Sequence, residues 1–138
     1  IFDKEIFNNI VIFIYSQLSK RLDLKNNINI NFVSNDEIKE LNREYRGIDT
    51  PTDVLSFNID DNEILGEIYI SLEYIKTNND NPNLEIIRMI IHGTLHLLGF
   101  DHSTYFNEDM YSQEEMYIIQ EEILKLVNDN YEINSRIG

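Results

Sequence analysis

The sequence predicts an α+β fold, a small mixed β-sheet packed with helices, from the order of its periodic segments and from its length. Apolar residues recur at helical spacing in some segments and alternate at strand spacing in others, in the order α-β-α-β-β-α-α. This irregular order favours a mixed sheet covered by helices. A length of 138 residues without a linker-like stretch indicates a single domain over residues 1–138.

The first three predicted elements each carry a local signal. Apolar residues at helical spacing predict a helix over residues 4–21, and alternating residues predict a strand over 28–33. The next stretch, "SNDE", has the form of a capping box, with Ser34 as the cap and Glu37 reaching back to it. A helix is therefore predicted to begin there and to continue to about Tyr45.

Two strands are predicted in the middle of the chain. Pro51 lacks a backbone N–H and marks a turn inside "RGIDTPT". After it, "DVLSF" at 53–57 and "ILGEIYIS" at 64–71 alternate as strands do, and the acidic stretch 58–63 between them reads as a turn.

Two helices are predicted in the C-terminal half. Pro82 suits the first turn of a helix over about 83–98, and Gly99 stands where a left-handed helix end is expected. A final amphipathic helix is predicted over about 111–127.

Composition restricts the function and the location. The net charge of −14 and the pI near 4.4 disfavour general binding to nucleic acid phosphates, which needs clustered Lys and Arg. With no Cys, any metal must be held by His, Asp or Glu. No apolar run approaches the roughly 20 residues of a membrane span, and no secretory signal pattern is visible. We therefore expect a cytoplasmic protein that does not associate with membranes.

All three histidines lie within residues 92–102, "HGTLHLLGFDH". His92 and His96 are four residues apart, which places both imidazoles on one face of the predicted helix. If Gly99 ends that helix, His102 can return from the following loop as a third ligand. Three imidazoles leave one position open on a tetrahedral ion, as catalytic sites do. We expect one Zn²⁺ per chain, with another divalent metal as the open alternative.

The spacing of these histidines is that of the metzincin zinc proteases, H-x-x-x-H-x-x-G-x-x-H. In those enzymes a Glu directly follows the first His and serves as the general base. Here that residue is Gly93. The metal-ligand spacing is present while the peptidase base is absent, so peptide hydrolysis is disfavoured.

Three stretches resemble the YbeY family of rRNA maturation factors. "HGTLHLLGFDH" resembles the family signature H-G-x-L-H-L-x-G-[YF]-D-H. "LNREYRGIDTPTDVLSF" at 41–57 and "LGEIYIS" at 65–71 resemble two further family motifs, in the same order along the chain. Two departures are mild: Phe100 stands where Tyr is common, and Gln120 where some members have an acid.

This resemblance implies a zincin-like fold and a metal-dependent endoribonuclease specific for single-stranded RNA. Such an enzyme acts in 3′-end maturation of precursor small-subunit rRNA and in ribosome quality control, with the ribosome or a ribosomal protein as partner and without a DNA substrate. The metal ligands carry over to His92, His96 and His102, and the catalytic arginine to Arg46.

Two other functions stay open on the sequence alone. The chain could be a non-enzymatic ribosome-assembly factor with a structural metal site, or a metallohydrolase of another substrate class. A lone loop arginine such as Arg46 is most often a surface ion-pair residue. Lys39, Arg43 and Arg46 recur at near-helical spacing, which predicts a local positive region on an acidic protein.

Overall fold

A three-stranded mixed sheet forms the centre of the fold. The computed structural model describes residues 3–24, 26–59, 63–100 and 107–133, with only the helical backbone described for 107–113. Strand β3 lies between the other two, parallel to β1 and antiparallel to β2. The predicted α+β class with a mixed sheet is confirmed. The strands are β1 (Asn27–Val33), β2 (Val54–Asn58) and β3 (Ile64–Ser71).

Five helices occur in the described part of the chain, one more than predicted. The additional helix, α3, begins directly after β3, where Ser71 ends the strand and its side chain accepts a hydrogen bond from the Tyr74 N–H. None of these helices has the length and apolar character needed to cross a membrane. The helices are α1 (Lys4–Arg21), α2 (Asn35–Arg46), α3 (Leu72–Asn78), α4 (Pro82–Leu97) and α5 (Asn107–Tyr131).

Most element boundaries agree with the sequence prediction. Helix α1 has the predicted bounds, and each strand differs by one residue at most. The capping box is present, because the Ser34 hydroxyl accepts from the Glu37 N–H at 3.1 Å. Helix α5 is longer than predicted at both ends, since polar residues continue it where the apolar pattern stops.

Helices α2 and α4 lie on opposite faces of the sheet. Successive strand residues point to opposite faces. Gly93 of α4 lies over Ser56 and Ile68, whereas α2 contacts the neighbours of those two residues, Phe57 and Tyr69. The main core fills the α4 side, where α1 and α5 also pack. It includes Ile10, Ile14, Leu18, Ile68, Ile70, Ile90, Leu95, Met116, Ile123 and Val127.

Candidate metal centre

Two of the three predicted metal ligands lie side by side on α4. The Nε2 atoms of His92 and His96 are 2.9 Å apart, and the ring centroids are separated by 4.5 Å with a 78° angle between the planes. Both residues are half-buried. The i, i+4 spacing therefore brings two imidazole nitrogens to one point, as the sequence predicts.

This pair fits the donor set of a zinc-type ion. Two nitrogens bound to one tetrahedral zinc, each at about 2.0–2.1 Å, would lie about 3.3 Å apart. The observed 2.9 Å is close to this, so a small change of ring torsions would suffice. Within the described residues, no third His, Cys, Asp or Glu completes a metal-binding group. The third predicted ligand, His102, lies in 101–106, outside the described residues, and stays a prediction.

The end of α4 is built on Gly99. Its φ of +106° is in the range that favours glycine, and two hydrogen bonds close the turn: Gly99 N–H to the His96 carbonyl at 3.0 Å and Phe100 N–H to the Leu95 carbonyl at 3.1 Å. This is the Schellman pattern of a helix end. The predicted left-handed end at Gly99 is confirmed, and it turns the chain immediately before the segment that contains His102.

We predict that Gly99→Val lowers both stability and metal affinity. A Cβ at Gly99 would meet nothing within 4 Å, so the cost is conformational, at least about 1 kcal/mol for a β-branched residue at positive φ. Gly47 is the matched control, because it ends α2 at φ +71° and is equally open. Thermal unfolding and zinc titration of both variants test this. Equal zinc affinity in Gly99→Val and Gly47→Val would contradict a role for Gly99 in placing a ligand.

The outer nitrogen of His92 contacts a buried amide on α5. His92 Nδ1 lies 2.8 Å from Oε1 of Gln120, and Gln120 is only 6% exposed. The Nε2 of Gln120 donates to Glu121 Oε2 at 3.0 Å. In the sequence, Gln120 stands out only as a departure from the family pattern. Its contact with His92 joins residues 28 apart in the chain, and no local pattern indicates it.

The carboxylate that accepts a hydrogen bond from the Gln120 amide is itself bound by Arg88. The Arg88 guanidinium donates from Nε and Nη2 to the two oxygens of Glu121, at 3.2 and 3.3 Å, and also pairs with Glu85. Burial opposes ionisation of Glu121 most strongly, yet the hydrogen bonds from Arg88 and Gln120 hold the pKa of this carboxyl below its ordinary value. Burial likewise opposes the charge of Arg88, and its two carboxylate partners still raise its pKa. Glu121 is therefore an anionic acceptor at neutral pH.

The position of the missing peptidase base has no room for a side chain. A Cβ on Gly93 would lie 2.8 Å from Ser56 Oγ and 3.0 Å from Ile68 Cδ1. Helix α4 thus approaches the sheet closely at this point. The absence of a Glu here follows from packing, in agreement with the sequence argument against peptidase chemistry.

Arg46 lies at the end of α2, the helix on the opposite face of the sheet from α4. It is the last helical residue, is exposed, and forms no hydrogen bond or ion pair with any residue in the described ranges. Arg43 of the same helix differs, because it pairs with Glu40. The structure brings His92 and His96 together and does not bring Arg46 into contact with them. The surface ion pair considered for Arg46 is absent among the described residues.

An aromatic pair next to Arg46 was not found by sequence reasoning. The Tyr45 ring is 65% exposed and lies 4.8 Å, centroid to centroid, from the ring of Phe57 on β2. Phe57 in turn contacts Tyr69 at 5.8 Å. The hydroxyl of Tyr69 donates to Glu67, and chiefly this hydrogen bond raises the pKa of Tyr69 to about 12. The face of β2 and β3 on which α2 lies therefore carries a short row of aromatic rings, which ends in the exposed ring of Tyr45.

The chain is similar to known proteins over most of its length. The chain is 38% identical over 133 residues to an endoribonuclease YbeY of Sulfurihydrogenibium, covering 89% of this chain and 85% of that protein. It is 37% identical to that of Persephonella marina, covering 94% and 89%. The solution structure of TM1509 from Thermotoga maritima matches with a TM-score of 0.66 at 31% identity, covering 96% of this chain and 88% of the other. The family model described as "Endoribonuclease YbeY" matches residues 2–128, and the chain belongs to this family.

Proposed function

We propose that the protein is a metal-dependent endoribonuclease that cleaves single-stranded RNA in the 3′-end maturation of small-subunit rRNA and in ribosome quality control. The observation that carries this proposal is the convergence of His92 Nε2 and His96 Nε2, at 2.9 Å, in a chain of an endoribonuclease family. The proposed location is the cytoplasm, where precursor rRNA and ribosomes occur.

The proposed metal ligands are His92, His96 and His102, and the proposed ion is Zn²⁺. Three neutral imidazoles without a thiolate suit zinc and leave one coordination position open for catalysis. An ion bound there would supply Lewis-acid polarisation of a phosphate oxygen and lower the pKa of water to about 7. The two described imidazoles are only half-buried, so solvent can reach them.

Arg46 is proposed as a phosphate-binding catalytic residue. Its planar guanidinium can engage two phosphate oxygens at once. None of the described residues binds Arg46, so no bond to them is broken when the guanidinium meets a substrate. Since α2 and α4 lie on opposite faces of the sheet, an RNA strand that contacts both helices must pass around the sheet, of which β2 is one edge strand.

The aromatic pair offers a physical reason for single-strand specificity. Single-stranded RNA exposes the faces of its bases, which stack on aromatic side chains at about 1–3 kcal/mol per base. Tyr45 presents such a ring one residue before Arg46, and Phe57 supports it from β2. A base stacked on Tyr45 would lie in the neighbourhood of Arg46, the next residue of the chain. A base held inside a duplex could not take this position.

The net charge of −14 opposes binding of RNA by the protein alone. Arg43 pairs with Glu40, so the cations of the predicted local positive region are reduced to Lys39 and Arg46. So few cations give weak attraction to RNA phosphates. We therefore propose that the ribosome or a ribosomal protein brings the RNA to the enzyme.

The test is a cleavage assay on an RNA that spans the precursor small-subunit 3′ end, in single-stranded form and annealed to a complementary strand. Zinc-loaded protein should cleave the single strand, cleave the duplex far more slowly, and lose activity after treatment with chelator. Zinc binding without cleavage of either RNA, also in the presence of small ribosomal subunits, would favour the assembly-factor function instead. Cleavage unaffected by chelator would contradict metal dependence.

A further inference from the structure

We infer that Gln120 is a positioning residue, whose buried amide holds His92 in the form that carries its proton on Nδ1 and presents the lone pair of Nε2 toward His96. This inference rests on the proposed metal site. Gln120 lies on α5 and would act on the metal site only through His92.

The orientation of the amide is fixed by its second partner. The Glu121 carboxylate can only accept hydrogen bonds, so the group of Gln120 that faces it at 3.0 Å must be the NH₂. The carbonyl oxygen Oε1 then faces His92 Nδ1 at 2.8 Å. With the amide rotated by half a turn, an oxygen would face the carboxylate and an NH₂ would face the ring.

The orientation of the amide determines the proton position on His92. Oε1 accepts and cannot donate, so a contact at 2.8 Å requires a proton on Nδ1 of the ring. A neutral imidazole has one N–H, which leaves Nε2 with a lone pair. With this tautomer, the 2.9 Å contact between the two Nε2 atoms requires His96 to be the donor. The ring of His92 is thus already directed at the point where the two nitrogens converge.

Two helices and three charged residues hold the amide in place. Glu121 is bound by two nitrogens of Arg88 on α4, and Arg88 also pairs with Glu85 one turn earlier. These hydrogen bonds therefore connect His92 and Arg88, both on α4, through Gln120 and Glu121 of α5. Because Gln120 is 6% exposed, water has little access to replace either of its bonds. Outer partners of this kind fix both the tautomer and the orientation of a ligand imidazole.

The test compares Gln120→Leu and Gln120→Glu in the full chain. Leu has a similar size and cannot accept a hydrogen bond. A Glu that is protonated, as burial beside the Glu121 carboxylate favours, keeps an acceptor oxygen toward His92 and an O–H toward Glu121. In the metal-free protein, nitrogen-detected NMR of the imidazole rings reports which nitrogen of His92 carries the proton. Competition with a chelator gives the zinc dissociation constant. Val127→Ala is the control, because it removes buried contacts of the same helix two turns away from Gln120.

We expect Nδ1–H in the wild type and in Gln120→Glu, and a mixture of both forms in Gln120→Leu. Zinc affinity should fall by about 10–100-fold in Gln120→Leu, the usual effect of losing an outer partner, and by much less in Gln120→Glu. Glu121→Ala, at a half-exposed position, is a second variant for the case that Leu prevents folding. It frees the amide to rotate, and we expect a smaller change in the same direction.

Three outcomes would overturn the inference. The first is an unchanged proton position on His92 in Gln120→Leu, or in Glu121→Ala if the Leu variant does not fold. The second is an equal loss of zinc affinity in the Leu and Glu variants, and the third is a loss in Val127→Ala comparable to that in Gln120→Leu. Failure of the wild type to bind zinc would refute the proposed metal site instead. The NMR measurement on the metal-free protein would still decide what Gln120 does to His92.

Discussion

His96→Ala should remove tight zinc binding and RNA cleavage while leaving the fold intact. The substitution deletes one of two nitrogens that meet at 2.9 Å, so the loss of zinc affinity should exceed the about 10²-fold effect of losing a ligand's outer partner. Fold stability should hardly change, because His96 is half-buried and Ala is the better helix former.

Thermal unfolding with and without zinc separates these effects. Zinc at about 100 times its dissociation constant should stabilise the wild type by about 2.7 kcal/mol, since it binds the folded chain. His96→Ala should unfold like metal-free wild type in both conditions. A zinc-dependent stabilisation equal to that of the wild type would show that His96 is not a ligand.

Arg46→Ala should lower RNA cleavage by about 10²-fold or more with unchanged zinc content and stability. This is the scale of losing one donor to charge that develops in a transition state. Arg46 is exposed and unpaired within the described ranges, so its removal leaves no partner unsatisfied. Arg46→Lys should recover only part of the rate, because a point charge cannot bind two phosphate oxygens in the same way.

Lys39→Ala is the matched control for Arg46→Ala. Lys39 is an exposed cation on the same helix, so its loss changes the net charge equally. If Arg46 acts on the reacting phosphate, turnover should fall much more than RNA binding does in Arg46→Ala, and Lys39→Ala should affect both weakly. Equal effects of the two variants would mean that Arg46 contributes only general electrostatic attraction for RNA. Wild-type turnover in Arg46→Ala would remove it from the mechanism.

Local patterns predicted most of the fold. The bounds of α1, the capping box at Ser34 and the glycine end at Gly99 depend on residues within one or two turns of each other, and all were found as predicted. Helix α3 was missed because its start coincides with the last residue of β3. Ser71 belongs to the strand and caps the helix, so no turn residue separates the two elements.

The site could be predicted only where its members are close in sequence. The spacing of His92 and His96 fixes their relation on one helix, and the sequence therefore predicts the pair. The contact of His92 with Gln120 depends on how α5 packs on α4, and the stacking of Tyr45 on Phe57 on how α2 packs on the sheet. Packing of this kind leaves no periodic trace in the chain. The position of Arg46 relative to the histidines likewise depends on how the helices pack on the sheet.

Titration of zinc into metal-stripped wild-type protein, with bound zinc and RNA cleavage rate measured in the same samples, tests most directly whether one ion at His92, His96 and His102 enables cleavage. The rate should rise in proportion to bound zinc and reach its maximum at one zinc per chain. Full cleavage by the metal-free protein, or a bound zinc that leaves the rate unchanged, would contradict a catalytic metal centre.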